Sequence, residues 1–161
     1  VADYESGLVI LDAANPAQPV LLGYLPTGGH AHAVTLDPSR PDRAYVATRE
    51  QGLVQVDISD PAAMNLVSTL VTPGYALDVV PDGDLAYIAD NEGGLQIADY
   101  TDLANPRYLG CISTPNRTAM DLALVGNKVC VAEWEGGFHV LPKHCVPSGV
   151  VLVIYLSSPL P

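Results

Sequence analysis

The sequence predicts an all-β chain built from repeats of one four-stranded antiparallel module, about four of them. Three observations carry this prediction. The segments GLVILD (residues 7–12), GLVQVD (52–57), GLQIAD (94–99) and GFHVLP (137–142) are copies of one pattern, starting 45, 42 and 43 residues apart. A period of about 40 to 45 residues made of short strands is the length of one blade of a β-propeller. Hydrophobic residues make up 48% of the chain, mostly Val, Leu, Ile and Ala, and 14 Gly and 14 Pro cut them into runs of strand length. No 3.6-residue apolar stripe runs long enough for a major helix.

The third copy reads most clearly. Residues 76–80 (ALDVV) are a first strand, a, and 81–84 (PDGD) a turn with Gly83 at the position that needs a positive φ. Residues 85–90 (LAYIAD) are strand b, 91–94 (NEGG) a hairpin turn, and 95–99 strand c. A loop over 100–106 ends at Pro106, which has no N–H for a central ladder, and residues 107–113 (RYLGCIS) are strand d. Thr114-Pro115 leads to the next copy, which opens at Ala119.

Applied to the whole chain, this pattern gives strands b, c and d, then a to d three times. The blades span 1–30 (incomplete), 31–75, 76–118 and 119–157. Repeats run through residue 145, and 146–161 hold an apolar strand (149–156) and a tail. Val1-Ala2-Asp3 aligns with Ile88-Ala89-Asp90, which places residue 1 inside a strand b. The expectation is a chain cut from something longer, or a first strand supplied by another chain. The last copy replaces the Asp/Asn-Pro loop with PKHCVPSG, as a terminal cap does.

Composition limits the partners. Seven Lys plus Arg against eighteen Asp plus Glu give a net charge of −11. Nucleic acid and anionic membranes are not expected as partners on this ground, because both need a basic footprint. No apolar run of about 18 residues is present to span a bilayer. The start of the chain has no leader-like stretch. Cys111, Cys130 and Cys145 match no zinc spacing, and an odd count permits one internal disulfide at most. Cys130 and Cys145 are the nearest pair along the chain and the disulfide candidate, although hairpin registry does not set them opposite.

The carriers Ala86-Tyr87-Ile88-Ala89-Asp90 with residues 93–99, and residues 52–57 with Asp60-Pro61, resemble the LVIVD repeat family of bacterial extracytoplasmic β-propellers. The resemblance extends over roughly residues 1–145. Two positions depart from it. Ala33 stands where strand a has Asp78 and Asp121, and Pro142 replaces the strand-c Asp. The resemblance implies a propeller fold and an extracellular or cell-surface location, with the signal peptide outside this chain. It implies no substrate.

Antiparallel meanders put their connections at alternating ends. The b–c turns and d–a loops therefore share one face, which carries Glu50, Asp90, Glu92, Glu133, Trp134 and Glu135 and receives His30, His32, Tyr75 and Arg117. These ten residues are the candidate ligand face. His30-x-His32 is a metal candidate, since i and i+2 in a strand point the same way. Asp82 and Asp84, with the turn at 90–94, are Ca²⁺ candidates, although Asp, Asn and Gly are also what tight turns require. Asp78 and Asp121 recur near the axis as an acid–base pair or as acceptors for backbone N–H from the adjoining loop, and the repetition favours structure. Asp12, Asp57 and Asp99 follow the same logic as caps on the loop after strand c. Asn116-Arg117-Thr118 fits an N-glycosylation acceptor.

No nucleophile elbow, phosphate-binding Gly loop or H-E-x-x-H helix occurs. The leading expectation is a non-enzymatic scaffold for protein binding or self-association through exposed blade edges, with a fibre subunit as one form. The alternative is a hydrolase or lyase with a metal-assisted site on the acidic face. No cofactor is expected, Ca²⁺ aside.

Overall fold

The computed structural model describes residues 1–112 and 118–143, and these form thirteen strands in four antiparallel sheets. The first sheet pairs β1 (Leu8–Asp12) with β2 (Val20–Leu25). The second contains β3 (Ala31–Asp37), β4 (Arg40–Thr48), β5 (Gly52–Asp57) and β6 (Asn65–Leu70). The third contains β7 (Asp78–Asp82), β8 (Leu85–Ala89), β9 (Leu95–Asp99) and β10 (Arg107–Ile112). The fourth contains β11 (Ala119–Val125), β12 (Lys128–Glu133) and β13 (Gly137–Pro142). Each is a meander in chain order; the second and third sheets show the full a-b-c-d pattern of a propeller blade, the first its c-d part and the fourth its a-b-c part. A 3₁₀ turn, Pro61–Ala63, interrupts the loop between β5 and β6.

The recurrent Gly at the head of each copy has a backbone reason. Gly7, Gly52, Gly94 and Gly137 open strand c with φ of 81°, 75°, 74° and 76°, a region that side chains with a Cβ rarely enter. Space excludes a side chain as well at Gly52, where a Cβ would lie 2.3 Å from the Leu70 carbonyl oxygen. Blades interlock in the same way at Gly23 of β2, whose Cβ would lie 1.9 Å from the Pro61 carbonyl oxygen.

Successive sheets enclose apolar layers. Leu8, Val46, Val54, Val56 and Met64 pack between the first and second sheets. Tyr45, Leu53, Val79, Ile88 and Tyr100 pack between the second and third. Tyr87, Leu95, Leu122, Val129, Val131 and Leu141 pack between the third and fourth. Each such side chain contributes about 1.5–3 kcal/mol on burial, more than a typical single hydrogen bond, so these layers hold blade to blade. The innermost strands β3, β7 and β11 lie side by side.

Two boundaries differ from the sequence reading: strand b of the third sheet ends at Ala89, before Asp90, and its strand a is shifted. Strand a of the third sheet starts at Asp78 and runs through Pro81 to Asp82, leaving a two-residue turn at Gly83-Asp84. Pro81 is tolerated because β7 is an edge strand, so its missing N–H breaks no central ladder. Asn116, Arg117, Cys145 and the apolar stretch 149–156 lie outside the described residues.

Candidate functional site

The b–c turn of one sheet is sewn to the head of the next sheet's inner strand. Tyr4 and Ala31 exchange backbone hydrogen bonds of 3.1 and 2.9 Å, and Asn91 and Ala119 exchange bonds of 2.9 and 3.1 Å. This brings the b–c turns and d–a loops onto one face.

A carboxylate clamp secures the loop entering the third sheet. Asp90, fully buried at the end of β8, accepts hydrogen bonds from the Thr72 hydroxyl and from the Gly74 N–H at 2.8 Å. Burial pushes its carboxyl pKa up, and the two bonds oppose that rise. The equivalent residue in the second sheet is Thr48, whose hydroxyl donates to the Gly52 carbonyl of its own hairpin at 3.0 Å. The Thr27-Gly28-Gly29 loop therefore lacks its clamp, and the Thr27 hydroxyl donates to the Gly29 carbonyl at 3.2 Å. Glu50, two residues beyond Thr48, partly takes over and accepts the His30 N–H at 3.1 Å.

A cleft of about 450 Å³ opens there, lined by Glu5, residues 26–29, His30 and Glu50. His30 Nδ1 lies 2.7 Å from Glu50 Oε1, and the His30 ring stacks on Tyr4 at 4.2 Å. The two His30 contacts hold the Glu50 carboxyl below the usual carboxylate range. Arg49 ties the first blade to the loop that enters the third sheet. Its guanidinium donates to the Tyr4 hydroxyl at 3.2 Å and lies 5.0 Å from the Tyr75 ring centroid.

The candidate residues thus separate. His30, Glu50 and Tyr75 join one network. His32 does not share a ligand position with His30. It is the extra residue of a β-bulge between the pairs Ala31↔Thr48 and Ala33↔Ala47, and its Nδ1 lies 2.8 Å from the Leu77 carbonyl oxygen. The bulge breaks the i, i+2 alternation on which the metal reading rested. Asp90 and Glu133 are also drawn inward. Both are buried, Asp90 as the clamp and Glu133 with its Oε2 3.0 Å from His139 Nε2. Glu92 is exposed on one turn, and Trp134 and Glu135 are exposed together on another. Tyr4 and Arg49 were missing from the candidate list. The available signal was charge, since Arg49 is one of seven basic residues and sits on an acidic face.

Near the axis, Asp78 of β7 and Asp121 of β11 meet across two blades. Asp78 Oδ2 accepts the Leu122 N–H at 3.1 Å, and its carboxyl faces that of Asp121. The donor thus comes from the next blade's inner strand, not from the adjoining loop. Burial first, then Asp121, pushes the Asp78 pKa up to about 6.

The LVIVD repeat pattern matches residues 1–27, 42–72, 73–114 and 116–141. The chain belongs to the LVIVD repeat family. No curated protein matches it. Among solved structures it is similar to the crystal structure of BamB from Moraxella catarrhalis, with 16% identity and a TM-score of 0.60. The match covers 89% of this chain and 44% of that one, so the chain spans less than half of the BamB chain. The likeness is one of fold, a β-propeller.

On the opposite face, the LVIVD blades repeat a second device. Asp12, Asp57 and Asp99 each end strand c, and each accepts the N–H two residues on, at 2.8, 2.9 and 2.8 Å. Asn15, Asp60 and Asp102, three residues further, do the same to Ala17, Ala62 and Ala104. These Asx turns account for the recurrent D-x-x-[DN] of the LVIVD loop. The Ca²⁺ candidates are engaged by cations of adjacent blades. Asp84 pairs with Arg40, and Asp82 lies 2.6 Å from Lys143 Nζ. Among the described residues, no cluster of three His, Cys, Asp or Glu is arranged to hold a metal ion. No disulfide links the described cysteines, Cys111 and Cys130.

Proposed function

We propose that this LVIVD propeller segment is a non-enzymatic binding and assembly scaffold of an extracytoplasmic compartment, acting through the two end faces of its arc of blades. One observation carries the reading. Sheet positions that are sealed between blades lie open on the fourth sheet. Leu53 and Leu95 are 0% exposed, and Phe138 at the same place in strand c is 64% exposed. Val125 is 63% exposed on the same side, which also presents the facing row Ala123, Cys130 and Val140. At the other end, Leu21 and Tyr24 of β2 are 58% and 65% exposed and point away from the second sheet. Apolar patches of this kind mark interfaces.

The two faces are opposite halves of one blade-to-blade contact, so joining them between copies is heterologous. The arc overlays 44% of the BamB chain, which supports a disc completed by further blades. A contact that fails to close makes a filament, the fibre form of the same reading. The LVIVD repeats support the compartment in this reading.

Light scattering across a concentration series tests this. The chain is expected to show a mass above its 16.9 kDa, and Phe138→Lys with Val140→Lys is expected to restore 16.9 kDa. A monomer at every concentration removes the self-assembly reading.

A further inference from the structure

We propose that the junction between the second and third sheets holds a buried water site built by Gln55, Ser68 and Tyr100. Three positions that are Ile, Gly and Ile at the first junction are Gln, Ser and Tyr at this one. Strand c sets Ile10 opposite Gly23 in the first sheet and Ile97 opposite Gly110 in the third, and it sets Gln55 opposite Ser68 in the second. The residue after the strand-c Asp is Ile58 in the second sheet and Tyr100 in the third. Ile58 N–H donates to the Asp42 carbonyl at 2.9 Å and Tyr100 N–H to the Asp84 carbonyl at 2.7 Å, so the two places are equivalent. Ile58 packs into the first junction and Tyr100 into the second.

The polar atoms lie on one face. Cross-strand partners share a face, so Tyr45, Gln55 and Ser68 form a row turned toward the third sheet. The Tyr100 ring meets Tyr45 edge-on, with centroids 5.3 Å apart. Gln55 and Tyr100 are both 0% exposed. Yet Gln55 Oε1 and Nε2, Ser68 Oγ and the Tyr100 hydroxyl make no hydrogen bond to protein. Arg43 Nε, one step along the same face, is also buried without a partner.

A buried amide or hydroxyl left unbonded costs more than a hydrogen bond returns, so such groups are paired with protein or with internal water. Room for water comes from Ser68. At Gly23 the next sheet's loop closes so tightly that a Cβ would lie 1.9 Å from the Pro61 carbonyl oxygen. Ser68 carries a Cβ in that place, so the third sheet's loop cannot seat as closely. The set offers both senses of hydrogen bond. Gln55 Oε1 accepts, its Nε2 donates, and the two hydroxyls do either. Burial, then Tyr45, pushes the Tyr100 pKa up, so its hydroxyl stays protonated. A buried water makes about three hydrogen bonds, which this set supplies. None of the three side chains is charged, so the site suits water and not an ion.

NMR on the isotope-labelled chain tests the site. Water cross-peaks of the sign given by long-lived bound water are expected at the Gln55 side-chain amide protons. Gln55→Ile with Ser68→Gly installs the pair of the flanking blades. This variant is expected to show fewer long-lived waters by oxygen-17 relaxation dispersion, with the backbone shifts of 119–133 unchanged as the folding control. Tyr100→Phe gives its answer by sign and does not depend on the double variant folding. Removing a hydroxyl bonded to water loses that bond, so the urea midpoint is expected to fall. An unchanged or raised midpoint shows a hydroxyl without a partner and overturns the proposal. So does a wild-type Gln55 amide with no water cross-peak, or a long-lived water count that the folded double variant leaves unchanged.

Discussion

Asp78 accepts the backbone N–H of Leu122 across the junction of the third and fourth sheets, at 3.1 Å. The bond joins the innermost strands of two blades and holds a carboxyl beside Asp121. His32, bonded to the carbonyl of the neighbouring Leu77, is the nearest basic group on the inner strand before it.

This pair makes the junction acid-favoured. The folded-state pKa of Asp78 is about 6, above the ordinary value of 3.8. A raised carboxyl contributes its full stability below the unfolded pKa and loses it as pH rises through the folded one. Wild-type Tm is therefore expected to fall between pH 4 and pH 7 relative to Asp78→Asn, whose amide keeps the bonds of the neutral acid. The difference reaches about 2 kcal/mol at neutral pH and vanishes below pH 4. Parallel melting curves for the two proteins from pH 4 to 7 would contradict it.

The clamp can be removed or transplanted. Asp90→Ala leaves the Gly74 N–H and the Thr72 hydroxyl without their acceptor and is expected to cost about 2–4 kcal/mol in denaturant unfolding. Thr48→Asp restores an acceptor for the Thr27-Gly28-Gly29 loop. The Gly29 amide should then exchange more slowly, and the cleft at His30 should narrow. Faster exchange at Gly29 would show that Glu50 and His30 have already set a loop course that the clamp cannot share.

Cys130 reports on the end face. It lies half-buried in the centre of the fourth sheet's open side, and Cys111 is exposed on β10. Alkylation followed by peptide mass spectrometry should show Cys130 modification slowing as protein concentration rises, with Cys111 unchanged. Identical concentration profiles for the two thiols would place the contact elsewhere.

Asp99 behaves oppositely to Asp78. Bonds from Thr101 and then Arg107, the latter at 2.6 Å, hold its pKa down at about 2. A depressed carboxyl contributes above the unfolded pKa, and the contribution goes as pH falls through the folded one. The stabilisation should therefore disappear between about pH 4 and pH 2. Carbon-detected NMR titration is expected to place the Asp99 midpoint near 2 and to move it upward in Arg107→Ala. An unmoved midpoint would leave Thr101 as the whole cause.

The blade pattern is written in local chemistry. Gly52 and Gly94 are needed where φ is positive, and Asp57 and Asp99 cap a loop two residues away. Apolar alternation along β8 and β9 sets both buried faces. Each of these acts over a few neighbours, so a linear reading recovers strand order, turns and the Asx loops. Trp134 and Glu135 lie exposed on the turn between β12 and β13.

Long-range packing decided the rest. The roles of Asp90 and Glu133 depend on a loop and a strand packed against them, which burial turns from ligand candidates into structural anchors. One bulged residue sends His32 away from His30, and no composition rule marks where a bulge falls. The Asp78–Asp121 contact joins residues 43 positions apart that only the convergence of inner strands brings together. Period-two alternation and turn chemistry are properties of adjacent residues and are visible in one dimension. Facing carboxyls, clamped loops and exposed sheet faces arise between blades, so they exist only once the wedges have packed.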